Sequence, residues 1–428
     1  MAQFWGDLPY AVSATLGLLV LLATWERTPG VLRSLSRLAG PQHGSAARLV
    51  SDWRFWALPA VVVFLARALV FDAPVPCSSG VDDVQAFLLS GRAVWSGGNP
   101  LLVQECGMTV PVPYGPLAMV VNLIGSVGGR AGVWLAWELP AILLLPLAAR
   151  LVGSEERSRV LATLGSSLLF VPLVESQIDG AGNAFVAVAV LASLALAREN
   201  WISGAIGAGF LAWARFPSLV PFLGASGEPS RRRGLLALGL SITTLLGGVA
   251  IGYAFWGRTF LDVAFLAQTS RVDRPLNLYG ILFATGTPVP SSVSLSAEAL
   301  GLGGAVLFCH WKRLAALPSA SLVLVVAALV LPSFPFNFFP WLLPVLLLGP
   351  WAARRMYLAS VVAASNFLVG LNLVLLQGRG LWPFVVLCIV TSALLVELLV
   401  RIAKLPGSRA GLAPPLTQVT VNHSCRRT

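Results

Sequence analysis

Apolar runs long enough to cross a lipid bilayer recur along almost the whole chain, and they constrain its fold more than any other feature. Most runs are about 15 to 22 residues long, and a helix of about 20 residues spans a hydrocarbon core roughly 30 Å thick. Backbone groups in lipid must be bonded within the segment, and the alternation of a transmembrane β-barrel is absent, so we expect helices. The candidate spans lie near residues 8–25, 55–72, 113–128, 131–149, 158–173, 184–197, 201–214, 216–226, 235–256, 295–310, 317–332, 336–350, 356–376 and 381–400.

The charge content fits this class. Charged residues make up 11% of the chain, against about 25% in a soluble domain. The net charge of +11 arises from basic residues in short loops beside apolar runs, for example Arg231–Arg233 and Arg401–Lys404. Such clusters are typical of topology determinants that contact anionic headgroups, so no nucleic acid partner is expected. The sequence predicts an all-α polytopic membrane protein with about 11–13 transmembrane helices.

The basic clusters also predict the topology. Arginines in the 26–54 segment place it in the cytoplasm, so the first apolar run is expected to be a retained anchor with the N-terminus outside. Residues 1–404 then form a single transmembrane domain in the cell membrane, with outside loops at 73–112 and 257–294. The tail at 405–428 is rich in Pro, Gly and Ser, and we expect it to be disordered in the cytoplasm.

Two threadings fit the middle of the chain, and each gives about thirteen crossings. In one, 113–128 crosses the membrane and 201–226 is a single long span. In the other, 113–128 dips in and returns, while 201–214 and 216–226 form a hairpin. The second threading is favoured because it places four more arginines inside. These are Arg150, Arg157, Arg159 and Arg198.

Cysteines are distributed between loops and apolar runs. Cys77 and Cys106 fall in the first outside loop, where an oxidising compartment would permit a disulfide. Two unpaired thiols are equally compatible, because sequence gives no geometry. Cys309 and Cys388 lie within apolar runs and are predicted to be small core residues.

The first outside loop carries the strongest chemical pattern. Asp82 and Asp83 follow a predicted membrane helix, and the chain from Asp83 to Trp95 is predicted to form an amphipathic helix that ends at the turn Gly97–Pro100. Adjacent carboxylates in this position suit a general base acting on a hydroxyl group. They suit equally well the capping of the helix N-terminus, and the residues alone favour neither interpretation.

This loop resembles that of the multi-pass C-type glycosyltransferases, in particular the polyprenyl-phosphate-mannose-dependent alpha-mannosyltransferases of actinobacteria. That family has an Asp, an aromatic residue four positions on, a Gly-Gly-Asn/Asp-Pro-like turn and then a Tyr-x-Pro stretch. Asp83, Phe87, Gly97–Pro100 and Tyr114–Pro116 match this order. Phe87 stands where the family usually has Tyr.

Two further stretches extend the resemblance to roughly residues 75–345. Gln177, Asp179 and Asn183 precede a helix, a basic turn and Arg215, similar to a family pattern of Gly-Gln-x-Asn followed by Lys-x-x-Pro. Asn337 occupies a position where the family often carries His. This departure puts identity of chemistry with the best-known members in doubt, since an amide does not titrate near neutral pH.

The resemblance implies a transferase that moves a sugar from a polyprenyl phosphate to a glycolipid or glycan acceptor at the outer face. Asp83, with Asp82 beside it, would take the proton of the acceptor hydroxyl. Arg215, Arg271 and Arg274 would hold the donor phosphate, for which the planar guanidinium is well suited. The residues implied to bind substrate are Asn99, Tyr114, Gln177, Asp179, Asn183 and Asn337.

Structural roles remain open for several of these residues. Arg271 and Arg274 flank Asp273 and are equally compatible with solvated loop charges. The alternative for Arg215 is a structural role in which its side chain reaches the membrane interface. Gln177, Asp179 and Asn183 suit helix caps and interhelical hydrogen bonds as well as substrate contacts.

No cofactor follows from the sequence. With three His and no acidic cluster beyond Asp82-Asp83, no dedicated metal site is visible. A divalent cation bridging Asp82 and a donor phosphate is compatible with the residues.

A transporter or lipid flippase of envelope precursors is the alternative function, although such proteins usually place ionisable residues near the midplane of repeated halves. A non-catalytic scaffold is a third, for which Asn337 is the best argument. The residues do not specify the sugar, the acceptor, the linkage or the oligomeric state; mannose follows from the resemblance.

Overall fold

The computed structural model has a mostly helical chain. The described residues are 83–151, 182–219, 223, 231–266, 275–334, 336–348, 351–352, 354–363 and 381–407. The helices are α1 (Asp83–Trp95), α2 (Pro116–Val127), α3 (Gly129–Glu138), α4 (Leu144–Leu151), α5 (Asn183–Glu199), α6 (Trp201–Leu211), α7 (Arg231–Leu261), α8 (Leu278–Ala284), α9 (Ser291–Lys312), α10 (Ala316–Val330) and α11 (Leu381–Ala403). Shorter 3₁₀ and π segments are Leu139–Leu143, Phe216–Ser218, Asp262–Leu266 and Phe336–Leu348.

Among the described residues, four helical stretches are long and apolar enough to cross a membrane. They are Gly129–Leu151, Arg233–Ala264, Ser291–Lys312 and Phe384–Ala403. Each coincides with a predicted span, so the coarse expectation of a helical membrane protein is confirmed at these four positions. The predicted spans at 8–25, 55–72 and 158–173 lie outside the described residues.

The predicted spans at 317–332 and 336–350 are a short buried α-helix and a 3₁₀ helix. α10 has fifteen residues and is buried over most of its length. The stretch after it, Phe336–Leu348, is a 3₁₀ helix with Pro340 and Pro344 inside it. Proline has no N–H to give to an α-helical hydrogen bond, which explains why this apolar run does not continue as an α-helix.

The first outside loop has the predicted helix and an unpredicted β-hairpin. The described part of α1 is Asp83–Trp95, and the helix ends at Trp95 as the sequence indicates. Strands β1 (Leu102–Glu105) and β2 (Met108–Pro111) then pair antiparallel. The hairpin turns at Cys106 and Gly107, which both have positive φ, 53° and 77°. Two successive positive φ values are typical of the tight turn that joins paired strands.

α2 and α3 form a helical hairpin that does not match a membrane crossing by α2. α2 has twelve residues, which rise about 18 Å and fall short of a core roughly 30 Å thick. The chain reverses at Gly128 and Gly129, and Gly129 has a φ of 65°. α2 then packs against α3 so closely that a Cβ on Gly132 would lie 2.4 Å from the carbonyl oxygen of Gly125. The length of α2 therefore favours the threading in which 113–128 dips in and returns, and the choice between the two threadings stays a prediction.

α5 and α6 form a second helical hairpin. Asn200 joins them, and its side chain accepts a hydrogen bond from the N–H of Ile202. The two helices are so close that a Cβ on Gly204 would lie 2.4 Å from that of Ala197.

α6 and α7 run parallel where they pack together. Ser241 donates to the carbonyl of Ala205, and further along both helices Trp213 donates to the carbonyl of Thr244. α6 ends at Leu211 and is followed by the 3₁₀ turn Phe216–Ser218, so the described residues from 201 to 219 are not one continuous helix. The choice between the two threadings of 201–226 stays a prediction.

Basic residues meet at one end of the bundle, beyond the ends of several helices. Arg150 lies 3.7 Å from the carboxylate of Glu199, and Lys312 donates to the carbonyl of Ala403 at the end of α11. Arg355 and Arg401 both pair with Glu397. This grouping is the one expected if these residues face the cytoplasm.

The described residues at the start of the predicted outside loop at 257–294 are helical. α7 runs to Leu261 with a break at Gly257, whose φ and ψ are 59° and −145°. Beyond the break Phe260 folds back, so that a Cβ on Gly252 would meet its ring at 2.6 Å. Phe260 and Ala264 are buried in the apolar cluster that also contains Phe87 and Tyr114.

Candidate functional site

A buried arginine lies where α6 ends. Arg215 is 4% exposed and precedes the 3₁₀ turn Phe216–Ser218. The backbone before it is fixed, because the carbonyl of Trp213 accepts a hydrogen bond from the N–H of Leu117. Gly115 lies against the same carbonyl, and a Cβ at that position would be 2.2 Å away. The start of α2 and the end of α6 are thus held together beside Arg215.

Neutral side chains hold the guanidinium of Arg215. It donates to Asn183 Oδ1 at 2.6 Å and to the Tyr114 hydroxyl at 2.5 Å. Its central carbon also lies 4.7 Å from the centroid of the Tyr114 ring. A guanidinium has five N–H donors, so two hydrogen bonds leave donor capacity, and neither partner neutralises the charge.

Asn183 joins three parts of the chain. It is the first residue of α5 and is fully buried. Its Oδ1 atom accepts from Arg215 and, at 3.2 Å, from the indole N–H of Trp341. Trp341 belongs to the 3₁₀ helix Phe336–Leu348, so one amide oxygen connects that helix to α5 and to the end of α6.

Aromatic rings line the other side of the site. The ring of Tyr114 lies 5.3 Å from that of Phe87 and 5.8 Å from that of Trp137, measured between centroids. Phe87 and Trp137 are 5.4 Å apart, and Phe185 lies 5.8 Å beyond Trp137. Ring pairs at these distances interact favourably beyond their buried area. The four rings, Phe87, Tyr114, Trp137 and Phe185, are called the aromatic wall below.

A chain of buried hydrogen bonds, which starts at Trp137, stabilises the aromatic wall. The indole N–H of Trp137 donates to Asn122 Oδ1 at 2.8 Å. The amide of Asn122 donates to the hydroxyl of Ser90 at 3.3 Å, and that hydroxyl donates to the sulfur of Met119 at 3.3 Å. α1, α2 and α3 therefore meet through polar contacts as well as apolar packing, which restricts the rotamer of Trp137.

Asp83 lies at the start of the helix that carries Phe87. It is the first residue of α1, where a carboxylate interacts favourably with the helix dipole. Residues four apart share one face of an α-helix, so Asp83 lies one turn from Phe87 on the side of the aromatic wall. The carboxylate and the Arg215 guanidinium thus belong to elements that meet at one set of rings.

Glu138 is a buried acid that the sequence reasoning missed. It is fully buried at the end of α3, and its Oε1 atom accepts from the backbone N–H of Gly182 at 2.9 Å. Gly182 is the residue before Asn183, so the carboxylate lies at the N-terminus of α5. The sequence did offer a sign, because an acidic residue inside an apolar run of spanning length is costly and is often functional.

The structure brings together three residues that the sequence nominated from separate segments, namely Tyr114, Asn183 and Arg215. Asn99 is not among them: it is exposed, and its Oδ1 accepts from the N–H of Leu101 at 3.0 Å, which is a turn contact. The backbone of Asn337 lies in the 3₁₀ helix that also carries Trp341. Asp82, Gln177, Asp179, Arg271 and Arg274 lie outside the described residues.

The described cysteines follow the expected division between loop and core. Cys106, at the tip of the β-hairpin, is disulfide-bonded. Its partner lies outside the described residues, because Cys309 and Cys388 are free and buried. A disulfide at the hairpin fits an oxidising compartment on that side. Among the described residues, no group of three or more His, Cys, Asp or Glu side chains comes together to hold a metal ion.

Comparison with protein-family models, curated proteins and solved structures found no match. The class that the described structure supports is that of a helical protein with membrane-spanning helices and a buried arginine beside an aromatic wall.

Proposed function

We propose that this chain is a membrane glycosyltransferase that moves a sugar from a polyprenyl phosphate to a glycolipid or glycan acceptor at the outer face of the cell membrane. The observation that carries the proposal is the buried guanidinium of Arg215, held by Asn183 and Tyr114. By the sequence resemblance, the sugar is mannose.

The partners of Arg215 favour an anionic ligand. A charged side chain within a membrane bundle usually pairs with an opposite charge or marks a substrate path. Here the hydrogen bonds go to an amide and a phenol, which orient the guanidinium and leave its charge available. Arginine binds phosphate oxygens through two parallel N–H groups, and a phosphate monoester is the leaving group of the proposed reaction.

The level of Arg215 in the bundle fits a donor whose head group lies toward the outer face. α6 begins next to the basic end marked by Arg198 and has eleven residues, so it rises about 16 Å. With Arg198 taken as the cytoplasmic boundary, Arg215 follows the end of α6 about halfway through a core roughly 30 Å thick. The hairpin threading of 201–226, in which α6 leads outward from the cytoplasm, favours contact between Arg215 and an outer-face donor.

The reaction needs a base and an anion site on opposite sides of the sugar. Asp83 takes the proton of the acceptor hydroxyl as its oxygen attacks the anomeric carbon. The bond between that carbon and the phosphate oxygen breaks, and the polyprenyl phosphate leaves with the electron pair. Arg215 stabilises the charge that develops on the leaving group. The aromatic wall contacts Arg215 through Tyr114 and lies one helical turn from Asp83 through Phe87.

The test is transfer of labelled sugar from a polyprenyl-phosphate donor by the purified chain in lipid nanodiscs. We expect product from the wild type and none from Asp83→Asn. The matched control is Asp262→Asn, because Asp262 is a half-exposed acid whose carboxylate pairs with Arg258. We expect this variant to transfer like the wild type.

Two results would contradict the proposal. Equal transfer by Asp83→Asn and wild type would remove Asp83 as the base. Absence of product with every donor and acceptor, together with movement of labelled lipid across a vesicle membrane, would favour a flippase of envelope precursors instead.

A further inference from the structure

We propose that Glu138 is a positioning residue for the anion site, acting on Arg215 through the first residues of α5; the inference rests on the proposed function for the identity of the anion. In the sequence, the sign that this acid gives is its position inside an apolar run of spanning length. Its place in the structure assigns it a role, because the carboxylate and the guanidinium bind neighbouring residues of one helix terminus.

The first step of the argument is the contact between Glu138 and Gly182. The carboxylate accepts a hydrogen bond from the N–H of Gly182 at 2.9 Å. Gly182 precedes the N-terminus of α5, where the helix dipole favours negative charge. Gly182 has a φ of 62°, which favours glycine. A Cβ on Gly182 would also lie 2.6 Å from the ring of Trp137, so this backbone has little freedom to shift.

The second step is the link from Gly182 to Arg215. Asn183 follows directly, and its Oδ1 atom holds the guanidinium at 2.6 Å and the indole of Trp341 at 3.2 Å. Fixing the peptide of Gly182 fixes the direction of the Asn183 side chain. Glu138 therefore determines where the guanidinium presents its remaining donors to an anion.

The third step concerns the aromatic wall. Glu138 follows Trp137 in α3, and Trp137 lies 5.8 Å from Tyr114, the other partner of Arg215. Both hydrogen-bond partners of the guanidinium are thus connected to the same two residues of α3. A role confined to capping the N-terminus of α5 would not require the contact between Trp137 and Tyr114.

The experiment measures two quantities on the full chain in nanodiscs. One is the Kd for a polyprenyl phosphate without sugar. The other is modification of Arg215 by phenylglyoxal, read by mass spectrometry of its peptide. We expect Glu138→Ala to raise the Kd about tenfold, equivalent to one lost hydrogen bond to a charged group. We also expect it to make Arg215 reactive.

Two further variants separate positioning from general destabilisation. Glu138→Gln keeps an accepting oxygen for Gly182, so its Kd should stay within about threefold of the wild type. Asn277→Ala removes another fully buried side chain, which donates to the carbonyls of Ala328 and Leu331 far along the chain. We expect this control to leave both the Kd and the labelling of Arg215 unchanged.

The outcomes are distinct. Unchanged Kd and labelling in Glu138→Ala would overturn the inference, as would equal effects of Glu138→Ala and Asn277→Ala. An effect of Glu138→Gln as large as that of Glu138→Ala would also overturn it, because the hydrogen bond would then not be the cause. If the wild type does not bind polyprenyl phosphate, the proposed function fails, while the labelling of Arg215 still decides the role of Glu138.

Discussion

The side chain of Arg215 combines burial with partners that leave its charge in place. Only 4% of the residue is exposed, and removing a guanidinium from water is costly unless its donors are satisfied. Asn183 and Tyr114 satisfy two donors and set the plane of the group. A site prepared in this way before the ligand arrives binds an anion without a further cost of ordering the side chain.

At this scale we predict that Arg215→Lys weakens binding of a polyprenyl phosphate about 10- to 100-fold. Lysine carries the same charge but has no planar pair of donors, so it cannot hold a phosphate oxygen while contacting both present partners. The measurement is a Kd in nanodiscs. Arg258→Lys serves as the control, because the side chain of Arg258 is 88% exposed. Equal binding by Arg215→Lys and wild type would remove Arg215 from the anion site.

The two helical hairpins determine the site at the scale of elements. The α2–α3 hairpin carries Tyr114 at its start and Trp137 near its end, and the α5–α6 hairpin carries Asn183 and leads to Arg215. Both hairpins are closed by glycines at which a side chain would collide with the facing helix. The distances between the site residues therefore depend on close approach of the backbones.

We predict that Gly132→Ala disrupts the site by separating α2 from α3. The added methyl would lie 2.4 Å from the carbonyl of Gly125, and such overpacking costs typically about 1–3 kcal/mol. The chain should melt at a lower temperature and lose affinity for the lipid phosphate. Gly239→Ala in α7 is the matched control: nothing lies within 4 Å of its Cβ position, and alanine is the better helix former. Similar melting temperatures for the two variants would contradict the close packing of the hairpin.

The sequence predicted those elements whose limits are set by neighbouring residues. α1 ends before a Gly-Gly turn, which is a local signal, and its predicted end at Trp95 is confirmed. The meeting of Tyr114, Asn183 and Arg215 also agrees with the sequence, through their resemblance to one family pattern. The sequence left two threadings of 113–128 open, a crossing and a dip that returns, because mean hydropathy reports the composition of a helix and not the point at which glycines reverse the chain. Glu138 was missed because one acid among many apolar residues hardly changes that mean.

Over the whole molecule, charge and disulfide chemistry point to the same orientation. Arg150, Lys312 and Arg355 lie at the end of the bundle where helix termini and acidic partners gather. The disulfide-bonded Cys106 lies in the β-hairpin that precedes α2. The β-hairpin belongs to the segment that the sequence predicts to lie outside, at 73–112. We therefore expect the basic end to face the cytoplasm and the β-hairpin to lie outside.

This orientation predicts the labelling of single cysteines introduced on the two sides. Met108 is 49% exposed in the hairpin, and the side chain of Glu199 is 70% exposed beside Arg150. A membrane-impermeant maleimide added to intact cells should modify Met108→Cys, and it should modify Glu199→Cys only after the membrane is opened. The unsubstituted chain gives the background from its own cysteines. Labelling of Glu199→Cys in intact cells would reverse the orientation, and with Asp83 and the aromatic wall then toward the cytoplasm, an outer-face donor could not reach them.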